Sequence, residues 1–203
     1  MTDSLGSLRR LTRPREPEER CELCSAPILS EHRHLIEVET RMLVCSCQPC
    51  SILFSGQAET KYRLVQSRVL SLQGFQLEDD EWDSLLVPVS LAFFTYSTPA
   101  GRMMAFYPSP AGATESQLGL DSWRELEAAN PILAQLEPDV EALLVNRVGD
   151  AREHLIVPID ECYRLVGLVR VGWRGLSGGS EVWKEIESFF TQLRGRAKVV
   201  GGA

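Results

Sequence analysis

The sequence predicts an α+β protein: a small four-cysteine module of treble-clef or zinc-ribbon type, followed by an antiparallel sheet with helices packed on it. Three observations carry this expectation. Five of the six cysteines fall within "CELCSAPILSEHRHLIEVETRMLVCSCQPC", Cys21 to Cys50. Behind them, short runs rich in β-branched and aromatic residues alternate with turn residues, the pattern of strands and hairpins. Near the C-terminus two segments place apolar residues at helical spacing.

The elements follow in order. Residues 1–20 lack apolar periodicity and carry two prolines, which predicts a disordered tail. The cysteine module spans 21–56, an α+β domain 57–197, and a flexible C-terminus 198–203. "KYRLVQSRVL" reads as a strand and "LEDDEWDSLL" as a short acidic helix. "LVPVSLAFFTYS" and "GRMMAFYPS" form a hairpin around "TPAG". Ser122 and Glu125 make a capping-box pattern for the helix "SWRELEAAN", which Pro131 bends or restarts. "VEALLVNRV" and "EHLIVP" are a second strand pair joined by "GDAR". Two amphipathic helices close the chain. One carries Cys162, Leu165, Val166 and Val169; the other, capped by Ser180, carries Val182, Ile186, Phe189, Phe190 and Leu193. The helices are expected on one side of the sheet.

The 203 residues, 44% hydrophobic and 24% charged, have an ordinary globular composition. A single body of this length buries roughly 70% of the surface that its unfolded chain exposes. No apolar run is long enough for a membrane span. Arg9-Arg10 is not followed by an apolar segment, so no export signal is read and a cytoplasmic location is expected. The net charge of −7 argues against a nucleic-acid binder, whose affinity rests on Lys and Arg neutralising phosphates.

The cysteine spacing is the sharpest chemical signal. Cys21-x2-Cys24 and Cys47-x2-Cys50 are two knuckles, each pointing two sulfurs at one ion, separated by a stretch suited to a tetrahedral zinc site. "RHLIEVE" and "RMLVCSC" read as a hairpin, and "CQPCSILFSG" as helical turns opening at the second knuckle. A helix N-terminus there favours thiolate. Cys45 and His34 stay open as additional ligands or near neighbours. A two-residue turn at Glu39-Thr40 sets His34 opposite Cys45, and a one-residue slip sends it to the other face. If the strand continues through Cys47, Cys45 and Cys47 share a face. His32 and His34 otherwise read as surface or packed histidines. Iron or an iron–sulfur cluster is the competing cofactor. The knuckles read "CELCS" and "CQPCS", without the proline and glycine usual in rubredoxin knuckles, and this favours zinc. Four sulfurs close the tetrahedron to water, which makes the site structural rather than hydrolytic.

Other places for chemistry are weaker. "FYPSPAGATES" reads as a loop able to bind a ligand or peptide, and "GLSGG" as a helix-to-helix loop without a phosphate-binding lysine. His154 lies in an expected strand and Cys162 on an apolar stripe. Trp82, Trp123, Trp173, Trp183, Phe93 and Phe94 read as core anchors, any exposed subset marking a protein-binding face. No catalytic residues are identified, so a non-enzymatic role is favoured over a zinc enzyme.

The stretches "CELC", "HRHL", "LVCSCQPCSILF", "FYPSPAGATES", "PDVEALLV", "VPIDECYRLVGLVR" and "WRGLSGG" resemble those of an uncharacterised family of bacterial proteins whose genes lie beside uptake nickel–iron hydrogenase genes. The resemblance covers nearly all of the chain after residue 20. It implies an accessory protein whose partner is a hydrogenase subunit or maturation factor, and it assigns no catalytic residue. A metal-binding interaction protein is therefore the expected function, and a redox electron-transfer protein the alternative.

Overall fold

The central strands of the main sheet carry unbroken apolar runs, and that dictates the architecture. In "LAFF" and "ALLV" consecutive residues are buried, so both faces of the sheet must be covered. The computed structural model describes residues 19–55, 61–117, 119–175 and 178–201. Its seven-stranded sheet runs β10-β4-β9-β8-β5-β6-β7. The strands are β4 (Leu70–Gln73), β5 (Leu91–Ser97), β6 (Arg102–Ser109), β7 (Gly112–Ser116), β8 (Glu141–Asn146), β9 (Glu153–Pro158) and β10 (Lys198–Gly201). Neighbours are antiparallel except β10 and β4, which pair in parallel.

On one face Leu91, Phe93, Ala142, Leu144, Leu155 and Val157 pack against α4 (Ile159–Gly172) and α5 (Gly179–Arg196). On the other, Ala92, Phe94, Leu143, Val145 and Ile156 meet Trp82 of α2 (Asp79–Ser84) and Trp123 and Leu126 of α3 (Leu120–Ala129). The α+β class holds, but the expected placement of helices on one side does not. Alternating faces of the same apolar strands each need a cover.

The amphipathic stripes of the last two helices are buried as the spacing requires, with Cys162, Leu165, Val182 and Leu193 wholly enclosed. Their caps differ from expectation. Gly178, at φ +86°, precedes α5 in place of Ser180. A side chain there would collide with Val182 and Trp173, so glycine is required. Gly119 precedes α3, which puts Ser122 inside the first turn, whereas a capping box forms between Glu78 and Glu81 at α2.

Other boundaries also move. "KYRLVQSRVL" splits into β3 (Tyr62–Leu64) and β4, in two different sheets. The expected flexible C-terminus is strand β10 over Lys198–Gly201, held by β4. "FYPSPAGATES" is no open loop: it is the end of β6, a turn at Pro110 and Ala111, and the edge strand β7. Ser109 holds that turn, accepting the Ala111 N–H and donating to the Gly112 carbonyl. Trp82 and Trp123 are core residues, but Trp183 is exposed beside Trp173.

A second, three-stranded sheet has the order β2-β1-β3, built from β1 (Arg33–Glu37), β2 (Met42–Ser46) and β3. It therefore reaches past the boundary expected at residue 56. Ile36 and Leu43 join the core formed by α4 and α5. Arg41 lies over Phe106, and Arg63 binds the Pro138 carbonyl and Asp139, so the small sheet is pinned to the large one. Of the expected disordered tail, residues 1–18 lie outside the described residues. Arg20 bridges Pro27, and the Glu19 carbonyl accepts the Ile28 N–H, so residues 19 and 20 are structured, contrary to that expectation.

Phe94 is wholly buried between Trp82 and Trp123. Replacing it with alanine is expected to cost about 3–5 kcal/mol, through lost burial and the cavity left behind. The shift of the urea unfolding midpoint measures this.

Candidate metal centre

The first knuckle is a tight reverse turn. Cys21 N–H donates to the Ala26 carbonyl at 2.8 Å and Ser25 N–H to the Cys21 carbonyl at 2.7 Å. Ser25 takes a positive φ of 61°, the conformation that closes the turn. Glu22 N–H donates to the Cys45 carbonyl at 2.9 Å, and Glu22 Oε2 accepts the Cys45 N–H at 2.5 Å, which ties the knuckle to the end of β2. The second knuckle opens α1 (Gln48–Ser55), with the Cys47 carbonyl accepting the Ser51 N–H at 2.9 Å. Cys47 thus precedes the helix and Cys50 sits in its first turn, where the unpaired amides favour negative sulfur.

These turns bring Cys21, Cys24, Cys47 and Cys50 together, with all four sulfurs within 4.8 Å of one another. The Cys24 and Cys47 sulfurs are 3.7 Å apart. A disulfide would hold them at about 2.0 Å. A single tetrahedral ion with bonds of about 2.3 Å sets its sulfurs about 3.8 Å apart, so the spacing suits one bound metal ion.

Burial raises the Cys21 thiol, but amide N–H groups of Cys47, Leu23 and Cys24 outweigh it and bring the group down to about 6. Cys50 is pushed up to about 12 by burial and by the neighbouring cysteines. Thiols this close resist full ionisation unless a cation supplies the opposing charge.

Cys45 and His34 fall outside this set. Their expected juxtaposition is present, for His34 pairs with Cys45 across β1 and β2. Strand β2 ends at Ser46, however, and the chain turns before Cys47, so Cys45 and Cys47 join different clusters. Cys45 groups instead with His34 and His32. The Asp160 carboxylate, hydrogen-bonded to His34 at 2.9 Å, raises the histidine's proton affinity against the opposing effect of burial. The contact of Asp160 with His34 was missed by sequence reasoning, because nothing near His34 in the chain points to a residue 126 positions away.

His154 lines a cleft of about 530 Å³ with Phe75, Asp79, Arg147, Arg152 and Arg194. The arginines are engaged: Arg147 and Arg152 with Asp79, and Arg194 with Glu153. His154 stacks on Phe75, and burial, followed by Arg147 and Arg152, lowers it to about 4. Glu161 lies on α4, bound by Arg196 and Arg164. Cys162 is wholly buried, which pushes its thiol well above the usual range.

Two outcomes are expected. In metal-loaded protein Cys21, Cys24, Cys47 and Cys50 resist alkylation. Cys47→Ser exposes the other three to the reagent while Cys45→Ser leaves all four protected, as mass spectrometry reads. For His154 the folded state holds the neutral ring, so the unfolded chain takes up the proton first as pH falls. Its contribution is full above about 6.5 and is lost by about 4, at a cost of about 3 kcal/mol. His154→Phe removes that loss from the pH dependence of urea unfolding.

Among the described residues no helix is long and apolar enough to cross a membrane. No curated protein and no solved structure shows a significant match to the chain. One family profile does match, over residues 20–197, and includes both knuckles, both sheets up to β9 and the two closing helices. That span agrees with the resemblance to an uncharacterised family, and the chain belongs to the family of unknown function DUF5947.

Proposed function

We propose that the protein is a non-enzymatic accessory protein in which a structural zinc ion on Cys21, Cys24, Cys47 and Cys50 stabilises a treble-clef-like module for docking to a protein partner. The observation that carries this reading is the convergence of four sulfurs, two from a turn and two from the start of a helix, at the spacing of one tetrahedral ion. A set of four thiolates leaves no position for a reacting water and contributes folding energy. The order of knuckle, hairpin and helix supports the treble-clef comparison, since a zinc ribbon would place a strand where α1 stands. Ile52, Leu53 and Phe54 on α1 are exposed, so the helix that carries the second knuckle offers apolar surface to a partner. The hydrogenase subunit or maturation factor named as that partner rests on the sequence resemblance alone.

A redox reading uses the same thiols for a single iron. The close grouping favours one ion over a polynuclear cluster, in which the cysteine sulfurs bind different irons and stand wider apart.

Metal analysis of anaerobically purified protein tests the centre. Zinc is expected in a colourless preparation, and Cys47→Ser should release about one equivalent per chain. A coloured protein whose visible absorption bleaches on reduction establishes iron instead. Deletion of the gene is expected to lower hydrogenase activity, with a hydrogenase subunit or maturation factor recovered on the tagged chain. Unchanged activity overturns the partner assignment.

A further inference from the structure

A second donor set stands apart from the four thiols. Cys45 Sγ and one nitrogen from each of His32 and His34 lie within 4.8 Å of one another. The two rings meet edge to face, with centroids 4.7 Å apart. Both rings already have a partner at Nδ1. His32 Nδ1 is 2.9 Å from the Leu29 carbonyl oxygen and 3.3 Å from Glu19 Oε2. His34 Nδ1 is 2.9 Å from Asp160 Oδ2. These oxygens can only accept, so each Nδ1 carries the proton and each Nε2 keeps its lone pair. The His32 side chain is 9% exposed, and its Nε2 is buried with no hydrogen-bond partner. A buried ring nitrogen without a partner is rare in folded proteins and calls for an occupant.

We propose that His32, His34 and Cys45 bind a second divalent ion of the zinc class, through the two Nε2 atoms and the Cys45 thiolate. Two imidazoles and one thiolate form a borderline-soft set that suits zinc and rejects magnesium and calcium, which take oxygen donors. The outer contacts are those of metal-binding histidines. A backbone carbonyl orients one ring and a carboxylate the other, each leaving the opposite nitrogen for the metal. The Cys45 proton leaves to solvent as the thiolate binds.

Three protein ligands leave the fourth corner of the tetrahedron for water or an exchangeable ligand. This distinguishes the second site from the closed centre beside it. A groove of about 500 Å³, lined by Leu29, His32, Cys47 and Gln48 among others, opens next to His32 and offers a path to it. Asp160 acts through His34 as a positioning residue.

Titration of the reduced, metal-free full chain with cobalt(II) tests the assignment, cobalt replacing zinc as the spectroscopic probe. About two equivalents are expected to bind. The second adds tetrahedral d–d absorption and a weaker charge-transfer band from its single thiolate. His32→Gln and His34→Gln each abolish the second phase and leave the first. Cys45→Ser removes the weaker charge-transfer band. Asp160→Asn weakens the second phase about 10–100-fold, an effect that a purely structural contact would not have. Wild-type saturation at one equivalent overturns the second site, independently of whether any variant folds. So does a second phase that is unchanged in His32→Gln. If the single ion is lost in Cys47→Ser, the four-thiol centre stands while the second site falls; a folded chain that binds no cobalt removes both.

Discussion

Burial of β5, β8 and β9 on both faces is the constraint on which the rest of the molecule depends. Leu143 and Leu144, adjacent in β8, point to opposite sides and are both fully enclosed, one against the tryptophans of α2 and α3, the other against α4 and α5. Period-two alternation makes the two layers inseparable, because the strand cannot shift by one residue without exchanging its faces. Helix α4 follows β9 without a loop and is laid across one face by Ile159, Cys162, Leu165 and Val169. Its first turn is thereby placed beside the small sheet, and Asp160 reaches His34 from that position. The geometry around the cysteines is thus set partly by the core of the larger sheet.

The small sheet is held in two ways. Ile36 and Leu43 extend the apolar core into it, while Arg41 and Arg63 bind it to the large sheet through Phe106, Pro138 and Asp139. The turn that precedes β1 and the start of α1 after β2 carry the thiols. Since burial and the neighbouring thiols oppose ionisation of Cys50, a cation at the centre of the four would relieve both penalties. The adjacent histidines and Cys45 differ in kind: they share the same hairpin but present a mixed, incomplete set of donors. One chain segment thereby brings together two groups of donors, separated where β2 ends at Ser46.

The cleft around His154 differs: its charges are matched in ion pairs, although His154 Nε2, like that of His32, is buried without a hydrogen-bond partner. Arg147, Arg152 and Arg194 are matched by Asp79 and Glu153, and the histidine is kept neutral by burial and by the nearby guanidinium groups. Such an arrangement stabilises the junction of β4, β9 and α2 without presenting a nucleophile beside a base.

The cysteine knuckles were legible in the sequence because two sulfurs spaced by two residues are brought together by a turn of local origin. The stripes of α4 and α5 were legible for a similar reason, as helical periodicity repeats within a few residues. The His34–Cys45 pairing was one of two registers that the sequence left open for this hairpin, and the structure selects it. By contrast, the second cover over the sheet, the pairing of β10 with β4 and the approach of Asp160 to His34 were decided only in the tertiary structure. Each depends on chain segments far apart in sequence meeting across a buried core, and local spacing carries no record of which distant segment will supply the contact.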